Sequence, residues 1–125
     1  YHGQMKRDFT YIDDVVEGII RVIKNPQPRL TQVEADAQGK DTTAPYKIYN
    51  IGNHSPVTLM DFISTIEQAL GKAAEKNMQP MQPGDVPETY AEVQDLIDDV
   101  GFAPSTPLSV GIKKFVDWYR EYYGV

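Results

Sequence analysis

Residues 80–87, Pro80-Met81-Gln82-Pro83-Gly84-Asp85-Val86-Pro87, place three prolines and one glycine within a single short run. A proline lacks the backbone donor and fixes φ, so neither a helix interior nor a central strand can pass through this run. Pro83-Gly84-Asp85 is turn chemistry instead. The segments with helical periodicity must therefore lie on either side of an irregular connection. Whatever that connection does, it does from a loop.

Before it, Asp8-Phe9-Thr10-Tyr11-Ile12 is a β-prone run of aromatic and β-branched residues. Asp14 with Glu17 reads as an acidic capping box, and Val15, Ile19, Ile20 and Ile23 then recur at helical spacing. Asn25-Pro26 should end that helix, because a residue before proline is pushed out of the α region. Residues 27–45 are proline-bearing and mostly polar, and read as an exposed loop. Tyr46 to Ile51 is a second strand candidate, with Ile48 and Asn50 opposite Tyr49 and Ile51, and Gly52-Asn53 breaks it. Thr58 is placed to cap a helix with Leu59, Phe62, Ile63, Ile66 and Leu70 on one face, and Gly71 to stop it.

Asn77 to Met81 reads as a short strand entering the turn. Beyond it, residues 91–100 form a helix ended by Gly101. Thr106 is expected to cap a last helix with Pro107 in its first turn. Leu108, Ile112, Phe115, Val116, Tyr119 and Tyr122 give that helix a wide apolar face, which makes Tyr119 and Tyr122 anchors of the core or its edge. Short strands alternating with about four helices make this a small α/β layer.

Composition limits the function classes. The 125 residues suit one domain, and 41% apolar with 24% charged residues is ordinary globular usage. A net charge of −6 without a basic run argues against nucleic acid. No apolar stretch approaches the roughly 20 residues of a membrane helix, and no signal peptide follows Tyr1-His2-Gly3. The absence of cysteine excludes disulfides and thiolate metal sites, and fits a cytoplasmic protein. Nothing here resembles a dinucleotide-binding GxGxxG, a Tyr-x-x-x-Lys pair or a Ser-His-Asp set, and His2 and His54 stand apart. The residues encode no catalytic apparatus of their own.

Four ordered segments carry a resemblance across nearly the whole chain. They are Lys6-Arg7-Asp8-Phe9-Thr10-Tyr11-Ile12-Asp13-Asp14, then Tyr49-Asn50-Ile51-Gly52-Asn53 with Ser55-Pro56-Val57-Thr58-Leu59, then Met81-Gln82-Pro83-Gly84-Asp85-Val86-Pro87-Glu88-Thr89-Tyr90-Ala91, and last Gly101-Phe102 with Phe115-Val116-Asp117-Trp118-Tyr119-Arg120. Together they resemble the C-terminal, substrate-gripping part of the nucleotide-sugar enzymes among extended short-chain dehydrogenases/reductases, the NAD-dependent epimerase/dehydratase family. Met81-Gln82 before the turn is similar to the UDP-glucuronate 4-epimerase branch. The resemblance implies a fragment of a larger Rossmann-type enzyme. Residues 1–125 would form the UDP-sugar-binding domain, and the NAD-binding Rossmann domain would lie outside the chain.

What the resemblance implies for single residues is physically sensible. Arg7 matches an arginine on the nucleotide diphosphate, where a planar, always charged fork suits phosphate oxygens. Asp85 matches a carboxylate that accepts from the ribose hydroxyls. Thr89 falls where relatives also approach the nucleotide. Gln82 stands where many relatives have a second arginine, so it can donate a hydrogen bond but adds no charge. No catalytic or NAD-binding residue is expected in this chain. Without the resemblance, Arg7 would read as a surface arginine, Asp85 as a turn aspartate, Asp13 and Asp14 as a helix-start pair, Phe9 and Tyr11 as packing residues, and His54 as a polar loop tip.

For the complete enzyme the resemblance implies interconversion of UDP-glucuronate and UDP-galacturonate through a 4-keto intermediate with bound NAD. The chain by itself should be inactive and bind UDP-sugar weakly. The implied homodimer would be built by the missing domain, leaving this chain monomeric. A UDP-glucuronate decarboxylase or nucleotide-sugar dehydratase would share the same gripping part. A free-standing, non-catalytic binding module is the alternative of another class.

Overall fold

The computed structural model describes residues 3–40 and 43–125. His2 lies outside them. In chain order the elements are β1 (Lys6–Arg7), α1 (Ile12–Lys24), α2 (Gln32–Ala37), β2 (Val57–Thr58), α3 (Leu59–Leu70), α4 (Gln94–Val100) and α5 (Leu108–Tyr123). The α/β class holds, with five helices among the described residues and one two-stranded antiparallel sheet that pairs Lys6 with Thr58 and Arg7 with Val57.

Local signals place most helices. Thr58 caps α3 by accepting from the Asp61 amide at 3.1 Å, and Gly71 ends it in the left-handed conformation at φ +68°. α1 stops at Lys24, one residue before the Asn25 cap. α4 begins at Gln94 rather than 91 and ends at a left-handed Gly101. Residues 27–45 are not all loop. Thr31 and Glu34 form a complete capping box that starts α2, with the Thr31 amide donating to Glu34 at 2.8 Å.

Three expected strands are absent because a ladder needs a partner. Residues 8–11 are not part of a ladder, and the sheet sits one step earlier, at Lys6–Arg7. Residues 77–81 form no strand. Residues 46–51 also form none, yet their exposure alternates as a strand's would, with Lys47, Tyr49 and Ile51 turned in and Tyr46, Ile48 and Asn50 out. Asp99 fixes this segment to α4 by accepting from Lys47 at 2.7 Å and from the Tyr49 hydroxyl at 2.6 Å. Gly18 lets α1 come close on the other side. A Cβ there would lie 3.3 Å from Ile51 Cδ1.

The acidic capping box expected at α1 does not form. Tyr11 is the N-cap and makes no side-chain bond. Asp14 instead accepts from the amides of Ser105 at 3.1 Å and Thr106 at 2.8 Å, so it secures the entry to α5. Thr106 is one residue outside the cap it was expected to make, because Pro107 holds that position without a side-chain bond. α3 and α5 face each other through Phe62, Ile66 and Leu70 on one side and Ile112, Phe115, Val116 and Tyr119 on the other. Fully buried apolar side chains are few: Ala35, Val93, Leu96 and Val116. Tyr119, 42% exposed, lies at the edge of this contact as expected, whereas Tyr122 is 70% exposed and outside it.

Burial alone would raise the Asp14 pKa, but the Thr106 amide and hydroxyl and the Ser105 amide outweigh it and Lys114 adds to them, holding it below the usual aspartate value. A lowered folded-state pKa stabilises above the unfolded value and loses that stabilisation as pH falls through the folded one. Urea unfolding from about pH 6 down to about pH 3 should show a shallower acid-side loss for Asp14→Asn than for the parent chain. Identical pH profiles would contradict this role.

Candidate functional site

The site grows from β1. On one side Lys6 and Arg7 pair with β2. On the other, Lys6 donates its amide to the Pro87 carbonyl at 3.0 Å and accepts from the Thr89 amide at 3.3 Å. This parallel bridge lays the connection after the proline run alongside a strand from the other end of the chain. The turn that starts it is closed by the Asp85 amide donating to the Gln82 carbonyl at 3.2 Å. Pro83 and Gly84 hold its two central positions, and Gly84 has φ +86°, as a type II turn requires.

Arg7 and Asp85 therefore meet. Arg7 Nη2 lies 2.7 Å from Asp85 Oδ1 in a half-buried ion pair. Arg7 Nη1 donates to the Lys6 carbonyl at 2.8 Å and to the Pro87 carbonyl at 3.4 Å. Asp85 Oδ1 also accepts from the Val86 amide at 2.9 Å. Neither side chain is used up. Arg7 Nε and Asp85 Oδ2 bond to no described residue. A guanidinium edge and a carboxylate oxygen thus stand available beside each other.

Gln82 shares a concave surface with Asp85. Gly3, Met5, Leu59, Met78 and Met81 are among the other residues around it, and its volume is about 240 Å³. The Gln82 side chain bonds to no described residue. Thr89 is placed differently. Its hydroxyl accepts from the Asp8 amide at 3.2 Å, and it lines a neighbouring polar cleft with Asp8, Thr10, Asn50 and Tyr90. Of the four residues singled out, the fold gathers Arg7, Gln82 and Asp85 and leaves Thr89 one cleft away. Lys6 is exposed, next to Arg7 on the strand.

Residue-by-residue reading misses the role of Asp8. Its carboxylate accepts from the His54 amide at 3.1 Å, the Ser55 amide at 3.3 Å and the Ala91 amide at 3.2 Å. One side chain so ties the exit of β1, the 52–55 loop and the end of the 85–91 segment. His54 is more than a loop tip. It is held at φ +55°, and its ring bonds the Ala91 carbonyl and the Tyr90 hydroxyl. A carbonyl can only accept, so Nδ1 carries a proton. Phe9 packs as expected, stacked on Phe62 with ring centroids 4.1 Å apart. Asp13 lies 3.4 Å from Lys114, and no described group of acidic or histidine side chains is arranged to hold a metal ion.

Gly52 is the tightest point of this assembly. A Cβ there would lie 2.2 Å from Ala91 Cβ and 3.1 Å from Asp8 Oδ2. Gly52→Ala should therefore push residue 91 away from Asp8 and cost about 1–3 kcal/mol of stability, as overpacking does. Urea denaturation measures it. A cost within error of zero would show that the two segments are not held together as described.

No protein-family model matches the chain. Curated relatives do. The chain is 56% identical over 123 residues to protein CapI of Staphylococcus aureus, covering 98% of this chain and 37% of that protein. It is 44% identical to a probable UDP-glucuronate 4-epimerase of Rhizobium meliloti, covering 97% and 36%. Among solved structures, the UDP-glucuronic acid 4-epimerase of Bacillus cereus in complex with UDP-glucuronic acid and NAD superposes with a TM-score of 0.72 at 27% identity, over 97% of this chain and 34% of that one. No helix among the described residues is long and apolar enough to cross a membrane. The chain spans just over a third of the length of these two curated relatives, and over that span it is a homologue of UDP-glucuronate 4-epimerases, with the fold of the corresponding part of the Bacillus cereus epimerase.

Proposed function

We propose that this chain is the UDP-sugar-holding domain, residues 1–125, of a nucleotide-sugar epimerase that interconverts UDP-glucuronate and UDP-galacturonate. The observation that carries this reading is the 2.7 Å approach of Arg7 to Asp85 across 78 positions of sequence. Arg7 would direct its free guanidinium edge to the diphosphate, and Asp85 its free oxygen to the ribose hydroxyls. Gln82, beside Asp85, would add a neutral donor at the same end. Thr89 would act at the neighbouring cleft, closer to the rest of the substrate.

This division of labour suits an epimerase. The nucleotide is gripped by charge at one end, so the sugar at the other end can turn without the ligand escaping. Binding energy gathered far from the reacting carbon then serves positioning. The chain holds no glycine-rich turn between strand and helix that would receive NAD. The cofactor and the catalytic groups are therefore assigned to the part of the longer relatives that this chain does not cover. NAD would supply hydride transfer there. By itself the chain is expected to be inactive, as one wall of a cleft.

The exposed apolar stripe of α1 supports this incompleteness. Ile12, Val16, Ile19, Ile20 and Ile23 share one face of the helix at i, i+4, i+7, i+8 and i+11, and all are exposed. A helix face of that pattern is built to be covered. The missing Rossmann domain is its proposed partner.

The test uses the full-length protein. Arg7→Ala should weaken UDP-glucuronate binding by at least about tenfold, since a charge-assisted bond is worth about 1.5–3 kcal/mol. Asp85→Ala should weaken it less, and UDP alone should show the same order. Calorimetry checks affinity, and NMR of the product checks that the sugar carboxylate is retained. Unchanged affinity in the Arg7 variant would overturn the site. Loss of carbon dioxide would overturn the epimerase reading and favour a decarboxylase.

A further inference from the structure

All four methionines of the chain meet at one place, although they come from separate stretches of sequence. Met5 immediately precedes β1, Met60 stands in the first turn of α3, and Met78 and Met81 lie on the approach to the Pro83-Gly84 turn. The pairing of β1 with β2 brings the first two together, with the Leu59 amide donating to the Met5 carbonyl at 3.0 Å. A Cβ at Gly3 would lie 2.4 Å from Met78 Cε and 3.3 Å from Met60 Sδ, so both thioether side chains pack against residue 3. Met5, Met78 and Met81 then line the concave surface that Gln82 and Asp85 share.

These side chains do not fill a core. Met60, Met78 and Met81 are 41%, 40% and 43% exposed, and only Met5 is half-buried. An exposed thioether is open to oxidants. The chain has no cysteine, so these four sulfurs are the only ones it can oxidise. Their position gives that chemistry a consequence. Residues 77–81 form no strand, so side-chain packing such as that of Met78 on Gly3 positions them, and Met81 leads directly into Gln82. Oxidation turns a flexible apolar side chain into a polar one, whose oxygen needs a donor or water. A sulfoxide on Met78 or Met81 draws water onto this surface, lifts the segment from Gly3 and carries Gln82 away from Asp85.

We propose that Met78 and Met81 form a reversible oxidation site that weakens the nucleotide clasp. Hydrogen peroxide gives one oxygen atom to the sulfur. The O–O bond breaks, an S–O bond forms, the sulfur loses two electrons to the peroxide, and water leaves. A thiol-dependent methionine sulfoxide reductase reverses the step. The effect on ligand rests on the reading of Arg7, Gln82 and Asp85 as a UDP grip, whereas the oxidation itself does not.

Peroxide treatment of the full-length protein tests this, with peptide mass spectrometry for each methionine and calorimetry for UDP. Met78 and Met81 should oxidise faster than the half-buried Met5. UDP binding should weaken roughly tenfold and recover after treatment with the reductase. The double variant Met78→Leu, Met81→Leu conserves side-chain volume. On the same treatment its own UDP affinity should change by less than about twofold, which separates these two sulfurs from every other oxidisable group of the longer protein. If the double variant does not fold, the single variants decide, each with a smaller loss than the parent. Unchanged UDP affinity with both residues oxidised, or a loss in the leucine variants equal to the parent's, would overturn the proposal. Absence of UDP binding before any peroxide is added would overturn the clasp, and this consequence with it, so the untreated sample tells the two failures apart.

Discussion

A guanidinium and a carboxylate 2.7 Å apart join the first strand of the chain to a turn 78 residues later. Everything placed around the candidate site follows from that closure. The pair fixes the Pro83-Gly84 turn over β1. The amides of Lys6 and Thr89 then carry the connection along the strand as a parallel bridge. Besides the pair, the run 80–87 is held by its turn bond, by the Val86 amide on Asp85 and, at its far end, by the Lys6 amide on the Pro87 carbonyl. The ion pair is part-exposed, so solvent screens it and its own contribution to stability is small. Its value lies in geometry, because it holds two charged side chains in one place with half of each unspent.

Asp8 does for the backbone what Arg7 does for the turn. Three amides converge on one carboxylate, and each belongs to a segment that would otherwise stop short of its neighbour. A carboxylate can accept that many bonds, and charge-assisted bonds are about twice as strong as neutral ones. Gly52 permits the convergence by offering no side chain between Asp8 and Ala91. Arg7 and Asp8 are adjacent in sequence, and their guanidinium and carboxylate hold opposite ends of the segment 85–91.

What the sequence reveals is mostly what is local. The α3 cap at Thr58, the stop at Gly71 and the Pro-Gly turn each depend on a few neighbouring residues, and all are where the residues place them. Thr31 and Glu34 carried an equally local signal for α2, overlooked within a stretch that reads as loop. Strands are another matter. Residues 46–51 keep a strand's alternation and lack only something to pair with. Asp14 looked like a helix cap because its nearest neighbours suggested one, whereas its partners lie 91 and 92 residues away. The site divides the same way. Arg7, Gln82 and Asp85 were legible as motif residues, but the work of Asp8 and the His54–Tyr90 contact depends on long-range approach that no spacing records.

The same incompleteness marks the core. So few large side chains are fully buried, and so many on α1 and α5 are exposed, that the fold reads as a part shaped for further contact. The nucleotide clasp itself can be tested on two side chains alone. With the chain labelled with ¹⁵N at arginine, UDP should shift the Arg7 Nε–H resonance and leave that of Arg21, which is paired with Glu17, in place. A shift of Arg21 or of no arginine, with UDP bound, would contradict the assignment of Arg7 and Asp85 as the nucleotide clasp.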